Sequence, residues 1–423
     1  MNKAAVGPSV RPDSKVGCRF CGEGLKTTFV DLGMSPFCQT HIEQHQLNHM
    51  EPFYPLHAWV CEKCFLVQLE EYVTPGDIFT EYAYFSSYAD SWVEHARKYS
   101  VLMRERFGIG ADSLVMEIAS NDGYLLQHFV AAGVPVLGIE PAANVAKVAR
   151  ELGIRSEVSF HGRANADRIV AQYGQADLVL GNNVLAHVPD LNDFVAGVKR
   201  LLKPCGVITM EFPHLQRLME QNQFDTIYHE HFSYFSFFTV RQVFAAHGLT
   251  LFDVEELPTH GGSIRIYGAH AENSSKPVTD RASALLAREL AMAFDRVETY
   301  RNFGEQVKDT KRKLLDLLIG LKRKGKSIVG YGAPGKGNTL LNYCGIRTDM
   351  LDYTVDRNPY KQGKYTPGTH IPILSPDTIR ETRPDYLFIL PWNLKDEIMA
   401  QMAFVREWGC QFIVPVPEPA ILP

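Results

Sequence analysis

The chain has 423 residues, 45% of them apolar and 22% charged, a composition too apolar for disorder and long enough for two or three domains. A formal net charge of −5 argues against a general binder of phosphate backbones, so no nucleic-acid partner is expected. No apolar run reaches the ~18 residues of a membrane span, and the stretch from Met1 to Lys15 has no apolar core after its basic residues, so the chain reads as cytoplasmic, with neither membrane span nor export signal.

Four of the eight cysteines fall in two tight pairs, Cys18-Arg19-Phe20-Cys21 and Cys61-Glu62-Lys63-Cys64. Each pair puts two thiolates on one turn, and together they supply the four ligands of a tetrahedral zinc. Four thiolates leave no open coordination position, so the expected role is structural; the alternatives are two unrelated CxxC pairs or a redox dithiol. The runs Thr27–Leu32 and Leu56–Val60 read as strands that fill the gap between the pairs. Cys38, Cys205, Cys344 and Cys410 are isolated and are expected to be inert.

From Ser113 short apolar strands alternate with helical stretches, the signature of a doubly wound α/β sheet. Strands are expected at Leu114–Ala119, Val136–Ile139, Asp177–Leu180 and Gly206–Glu211, with a helix opening at Tyr124. Ligands of open parallel sheets lie beyond the carboxyl ends of the strands, and the polar residues collect there: Ser120-Asn121-Asp122-Gly123, Glu140-Pro141 and Asn182-Asn183. Glu140 closes the second strand ~20 residues after the first, a position suited to the two hydroxyls of a ribose. The first loop lacks the GxGxxG turn that cradles a pyrophosphate, which favours S-adenosylmethionine over a nicotinamide cofactor.

The segment from Phe224 to Phe235 sets Tyr228, His229, Glu230, His231 and Tyr234 among large apolar side chains. A metal site is one reading, but histidines two apart share a face only in a strand, and no third ligand is evident. A core strand with satisfied histidines is another. Acid–base chemistry is favoured, because histidine titrates at ~6.5 when unperturbed.

Pro258–Tyr267 is expected to form a hairpin closing the central sheet, with Gly261-Gly262 allowing close backbone approach. A charged helical stretch from Pro277 to Lys324 follows, its Leu314, Leu317, Leu318 and Leu321 forming a packing stripe. Next comes Gly330-Tyr331-Gly332-Ala333-Pro334-Gly335-Lys336, a GxGxxG match after a strand, with Asp356 closing the next strand and a helix expected from Asn338-Thr339. Shelter for a diphosphate, aided by Lys336, is the preferred reading; a fold retained without ligand and true NAD binding are the alternatives. His370 and Trp392-Asn393 lie at loop ends where they would face the central cleft.

Three motifs together give a specific likeness: Glu117-Ile118-Ala119-Ser120-Asn121-Asp122-Gly123, Asn182-Asn183 through His187-Val188-Pro189, and Tyr228-His229-Glu230-His231-Phe232. From Cys18 to about Pro415 the chain resembles the sugar C-methyltransferases, which modify nucleotide-linked deoxy-keto sugars. One departure is Ala119, where many methyltransferases place glycine beside the cofactor. The resemblance implies an α/β protein: a class I, Rossmann-like methyltransferase core at 81–275, preceded by a zinc-binding domain at 1–80 and followed by a helical connection and Rossmann-like substrate-clasping domain at 276–423. It assigns the base role to His231, with Tyr228, Glu230, His187 and Tyr82 in the same site. It implies that Glu117, Ala119, Ser120, Asn121, Gly123, Glu140, Pro141, Asn182, Asn183 and Ser86 hold S-adenosylmethionine. Gly332, Lys336, Asn338, His260 and Gly261 are expected on the substrate side.

The implied reaction is methylation at carbon 3 of a dTDP-linked 4-keto-deoxysugar. An active site assembled within one chain leads to the expectation of a monomer, with no nucleic-acid or membrane partner. An NAD-dependent nucleotide-sugar oxidoreductase, a sugar O-methyltransferase and a non-catalytic zinc scaffold are the rival readings. The crowd of titratable groups around His231 argues against the scaffold.

Overall fold

A computed structural model describes residues 16–72, 86–88 and 90–423. The chain begins with an antiparallel meander, β1 (Thr27–Ser35), β2 (Tyr54–Val60) and β3 (Val67–Leu69). The central domain then runs α1 (Asp90–Phe107), β4 (Val115–Ile118), α2 (Leu126–Val130), β5 (Val136–Ile139), α3 (Ala143–Glu151), β6 (Ser156–Glu157), α4 (Arg163–Tyr173) and β7 (Ala176–Asn182). It continues through α5 (Leu191–Leu201), β8 (Leu202–Pro213), α6 (Leu215–Glu220), β9 (Ser233–Tyr234), α7 (Phe237–Ala246), β10 (Leu249–Leu257) and β11 (Ser263–His270).

The central sheet has the order β6-β5-β4-β7-β8-β11-β10. Its first five strands are parallel, and β11 runs antiparallel to both neighbours, the class I methyltransferase arrangement. The strand interiors are mostly apolar because helices cover both faces, as a parallel sheet requires, with Glu117 in β4 and Thr209 and Glu211 in β8 as buried polar exceptions. All four residues of β4 are buried. The expected hairpin is β10–β11, turned by Thr259–Gly261. The helix expected from Tyr124 begins at Leu126, since Gly123 sits at φ 80° and the chain turns once more before it can wind.

The C-terminal part comprises α8 (Asp280–Ala291), α9 (Glu298–Arg301), α10 (Phe303–Arg323), β12 (Ile328–Tyr331), α11 (Gly335–Cys344), β13 (Thr354–Val355), β14 (Ile373–Leu374), α12 (Thr378–Thr382), β15 (Tyr386–Ile389), α13 (Lys395–Gln401), β16 (Gln411–Val414) and β17 (Ala420–Leu422). Its sheet, β14-β13-β12-β15-β16-β17, is parallel except for β17. In α10 the leucine stripe does pack: Leu314, Leu318 and Leu321 are buried and Leu317 is partly so.

The three parts do not each enclose a core of their own. One apolar cluster joins Phe29, Val30 and Leu56 of the meander to Leu314 and Leu318 of α10 and to Ile328 and Leu340 beyond it. A second joins Cys18, Cys61, Cys64 and Leu66 to Phe235 and Val240 of the central domain. Strand β9 leaves the central domain altogether and pairs with β3, completing the N-terminal sheet. The helical connection is divided too: Ala282 and Leu285 of α8 pack on the central domain, whereas α10 packs on the meander and the C-terminal sheet.

Phe29 is the joint of this arrangement. Its ring stacks on Phe303 (centroids 4.6 Å apart, planes 11° apart) and meets Tyr300 edge-on at 6.3 Å. Phe29→Ala is expected to cost about 3–5 kcal/mol and to loosen the meander and α10 together, read as a lowered unfolding midpoint with a single transition by both fluorescence and far-UV circular dichroism.

Candidate active site

The two CxxC pairs converge. The four Sγ atoms of Cys18, Cys21, Cys61 and Cys64 all lie within 4.8 Å of one another, with Cys18–Cys64 and Cys21–Cys61 each at 3.5 Å. A tetrahedron with Zn–S bonds of ~2.3 Å has edges of ~3.8 Å, so the four sulfurs fit a zinc ion. Each pair is folded as a tight turn: the Gly22 N–H donates to the Cys18 carbonyl and the Phe65 N–H to the Cys61 carbonyl. Gly22 and Phe65 take positive φ (74° and 61°) to close these turns. The Gln68 amide also reaches the Cys18 sulfur, at 3.1 Å.

At the carboxyl ends of β4, β5 and β7, polar side chains gather in a buried pocket. Glu117, Ser120, Asp122 and Glu140 are all buried, as are Asn121 and Asn182. The Glu140 carboxylate accepts the Asn121 and Ala142 N–H groups, at 2.9 Å each, which fixes the loops after β4 and β5 against each other ahead of Pro141. Ser86 and Ser87 close over them, their N–H groups donating to the side chains of Asn121 (2.9 Å) and Asp122 (3.1 Å). Ala119, Asn121 and Asn183 sit at φ 58°, 50° and 53°. Left-handed backbone at three non-glycine positions around one pocket is strain that neighbouring contacts must sustain. Ala119 thus adopts a left-handed conformation that glycine takes more readily.

Both Glu117 carboxyl oxygens, the Ser120 hydroxyl, one Asp122 oxygen and the side-chain carbonyls of Asn182 and Asn183 are buried without a hydrogen-bond partner among the described residues. Buried polar groups are rarely left so, and a ligand bearing hydroxyl, amino and cationic groups would satisfy them. Burial, then the neighbouring Glu140 and Asp122, push the Glu117 carboxyl well above its ordinary range. The site therefore fits the ribose and cationic amino-acid end of S-adenosylmethionine. Gly123 has a different duty: a Cβ there would meet Ile154 at 2.3 Å, so packing and turn geometry, not ligand approach, require glycine.

Beside this pocket lies the histidine segment. Residues 228–231 form a turn and not the strand a core reading would need: the His231 N–H donates to the Tyr228 carbonyl at 2.9 Å. His229 and His231 consequently diverge. His229 turns to the meander, its Nε2 reaching the Pro55 carbonyl at 3.2 Å among Phe37 and Tyr54, which removes the metal reading. His231 turns to the cleft, with its Nδ1 2.9 Å from the Thr226 carbonyl. A carbonyl only accepts, so Nδ1 carries the proton and Nε2 is left as the basic nitrogen. The Tyr228 ring lies over the imidazole (centroids 4.0 Å apart) and the His187 ring meets it edge-on at 4.6 Å. Burial, then His187, hold His231 well below 6.5, opposed by the Thr226 hydrogen bond; His260 and Lys336 lower it further. His187 and His260 are themselves held to about 4, each chiefly by burial.

Glu230 belongs to the same turn, but its carboxyl faces away from His231, toward the Cys38 thiol at 3.7 Å, and burial pushes it up to about 7. Tyr82 lies outside the described residues. His260, at φ 54°, has its Nε2 3.0 Å from the Asn183 amide and so bridges the cofactor pocket and the His231 cleft. Trp92 of α1 packs against both His260 (5.1 Å) and Tyr124 (6.0 Å), and Glu211 takes the Thr259 hydroxyl (3.0 Å), Arg265 (2.7 Å) and His95 (2.9 Å) on one buried carboxylate. Sequence reasoning did not single out Trp92, His95 or Glu211. The last closes a core strand at the ligand edge of the sheet, as Glu117 does, and that position was the available signal.

The C-terminal glycine loop corrects the expectation placed on it. The helix begins at Gly335, not Asn338, and its glycines abut protein. A Cβ at Gly332 would meet Pro391 at 2.7 Å, and one at Gly335 would meet the Cys38 sulfur at 2.9 Å. Asp356 accepts the Ala333 N–H (2.8 Å) and faces Lys361 (3.3 Å), so it is not presented to a ribose. Asn338 is buried and donates to the Cys38 carbonyl at 2.6 Å, so it is a tie to the N-terminal module. Gly261 is likewise closed off, its carbonyl accepting from Gln223 (2.7 Å) and its α-carbon against Trp392. His370 pairs with Glu51 at 3.1 Å and leaves the cleft. Of the expected substrate-side residues, Lys336 and His260 remain toward His231.

A separate groove of about 810 Å³ opens between α1 and α8, lined by His95, Tyr99, Arg265, Arg281 and Arg288 among others. Its three arginines are already engaged by Glu211, Asp253, Glu255 and Glu256, which makes it a lattice of ion pairs more than a receptor for anions.

Family models match along the chain in the same order as its parts: a zinc binding domain at 18–79, a methyltransferase domain at 92–254 and a C-methyltransferase C-terminal domain at 258–417. The chain is 36% identical to C-methyltransferase NovU of Streptomyces niveus over 98% of both chains. It is also 36% identical to the ubiquinone biosynthesis O-methyltransferase of Bordetella avium, over 22% of this chain and 39% of that one. Among solved structures, magnesium protoporphyrin IX methyltransferase of Synechocystis PCC 6803 with bound SAM is 13% identical, covering 42% of this chain and 79% of that one at a TM-score of 0.32.

Two outcomes follow from this geometry. Elemental analysis is expected to give one zinc per wild-type chain and none in Cys64→Ser, with a lowered melting temperature in the variant, since Cys64 is part of the core shared with the central domain. Glu140→Ala is expected to weaken S-adenosylmethionine binding about ten- to a hundredfold, the scale of losing hydrogen bonds to a charged group, measured by calorimetric titration.

Proposed function

Because this chain belongs to the C-methyltransferase family, with S-adenosylmethionine and a structural zinc as its cofactors, we propose that it methylates carbon 3 of a dTDP-linked 4-keto-deoxysugar. The observation that carries this reading is the placement of the His231 imidazole, its Nδ1 bound to the Thr226 carbonyl at 2.9 Å so that Nε2 is the nitrogen presented to the cleft, with burial favouring the neutral form. A carbon accepts a methyl group only as a nucleophile, and a C–H next to a ketone is the one acidic enough to become so. A neutral imidazole serves a hydroxyl as well as a C–H, so carbon is favoured over oxygen by the C-methyltransferase relative and the matching C-terminal domain. The loop after β12 offers no open pyrophosphate cradle, which disfavours the oxidoreductase reading.

In this scheme His231 Nε2 takes the proton from the carbon beside the ketone, and the resulting enolate is flanked by the imidazole of His187, the Tyr228 ring and His260. When bound, S-adenosylmethionine supplies an electrophilic methyl group on a cationic sulfur. His260 and Asn183, held together at 3.0 Å, set the separation between the cofactor pocket and the proton acceptor. Orientation at ~3–3.5 Å between reacting atoms is the larger part of such catalysis, and Trp92 packed on both His260 and Tyr124 keeps that wall rigid. The Cys18–Cys64 zinc site stiffens the module against which β9 and the histidine turn are laid.

The test is incubation with dTDP-4-keto-6-deoxyglucose in deuterated water. The wild-type protein is expected to exchange the carbon-3 proton without S-adenosylmethionine, and to form a C-methyl product by NMR with it. His231→Asn is expected to lose both by about 10²–10⁴-fold, the scale of a general base. An O-methyl product, or exchange retained in His231→Asn, would overturn the reading. The pH profile has a definite sign. The base acts when unprotonated, and His231 is held well below 6.5, so kcat/KM is expected to stay flat as pH falls through 6.5 and to drop only below it.

A further inference from the structure

Resting on the reaction just described, we propose that Lys336 is a catalytic residue whose ammonium group holds the ketone oxygen and stabilises the charge that develops there when His231 removes the neighbouring proton.

The placement comes first. Lys336 stands on the first turn of α11, where the C-terminal sheet reverses its strand order at β12 and β15. Open α/β sheets hold ligands beyond the carboxyl ends of the strands at such a point. Two side chains from the loop after β15 fix the ammonium: Asn393 Oδ1 accepts from Nζ at 2.7 Å, and the Trp392 ring lies 4.7 Å beneath it. Trp392 is fixed in turn, its indole N–H donating to Asp225 Oδ2 at 2.7 Å. Asp225 precedes Thr226, whose carbonyl holds His231. The opposite edge of Trp392 lies against Gly261, next to His260. A continuous line of contacts therefore runs from the ammonium to the base and to the turn that faces the cofactor pocket.

The electrostatics make the role specific. Among the described residues, the charged and titratable groups facing His231 are His187, Tyr228, Tyr234, His260 and Lys336, and the two other imidazoles are held to about 4, each chiefly by burial. Lys336 is the remaining cation. Among the described residues it makes no ion pair, and Asn393 is its one hydrogen-bond acceptor. Asp225 faces it through Trp392, and burial lifts that carboxyl to about 6 despite the nearby ammonium. Burial lowers Lys336 itself, opposed by Asp225. A half-buried ammonium with unused N–H groups next to the base is suited to an oxyanion, and a charge-assisted hydrogen bond is about twice as strong as a neutral one.

The step balances. The C–H bond breaks and an N–H bond forms on His231 Nε2. The C–H electron pair becomes the carbon–carbon double bond of the enolate, and the carbonyl π pair moves to oxygen beside the ammonium, which keeps its three protons. Reversal in deuterated water returns deuterium to carbon.

Lys336→Met and Lys336→Gln decide the matter, with zinc content and S-adenosylmethionine affinity confirming the fold. Both are expected to slow carbon-3 exchange and kcat by about 10²–10³-fold, as for loss of an oxyanion donor, while the affinity for free dTDP changes less than threefold. Loss of the neighbouring cation is also expected to raise the acid limb of kcat/KM. Unchanged exchange would overturn the proposal. So would a dTDP affinity falling in step with kcat/KM, which would make Lys336 a diphosphate anchor. Absence of exchange in the wild-type protein would instead overturn the underlying reaction.

Discussion

The bond from His231 Nδ1 to the Thr226 carbonyl is the constraint on which the site depends. An imidazole without it exchanges tautomers and turns about χ2; with it, one nitrogen is committed and the other is presented. The carbonyl can serve because its own segment is tied to every part of the molecule. Asp225 is held by Trp392 of the C-terminal domain, Phe232 donates to the Ala186 carbonyl at 2.7 Å in the central domain, and Ser233–Tyr234 pair with β3 of the meander. A short irregular stretch, which would be floppy in isolation, is thereby held from three sides.

Around that fixed point the two ends of the cleft carry opposite character. Glu117, Asp122 and Glu140 line the cofactor end, and the imidazoles and Lys336 line the other. A cationic methyl donor is complementary to the first, a developing enolate to the second. Burial strengthens both preferences, because charges in a low-dielectric cleft are poorly screened by water. It also imposes a cost, visible in the lifted carboxyl of Glu117 and the suppressed imidazoles, which a bound ligand relieves.

Much of this was legible in the sequence, for identifiable reasons. Runs such as Leu114–Ala119 and Asp177–Leu180 are short, apolar and followed by polar turns, which leaves them little but buried parallel strands. The CxxC pairs carry their own geometry, since two thiolates on one turn need only a second such turn. What escaped notice depends on long-range partners. Glu211 reads as one more strand residue until Arg265, His95 and Thr259 are seen to converge on it. The departure of β9 to another sheet has no local signature, because a two-residue strand is decided by its partner. The apolar clusters are likewise assembled across the chain, whereas composition changes along it.

The glycine loop of the C-terminal domain shows what a motif does and does not specify. Its glycines are required, but by Pro391 and Cys38 pressing on their α-carbons, not by a pyrophosphate. Those contacts seat α11 against both the meander and the loop after β15, and the seating aims its first turn. Lys336 inherits a direction from that packing, and Trp392 and Asn393 refine it. The same strand–turn–helix that elsewhere offers backbone N–H groups to a phosphate here offers one side chain to a cleft built by other domains. The chemistry of such a turn is therefore set by what fills the space over its glycines, which the three-dimensional packing determines and the spacing of the glycines does not.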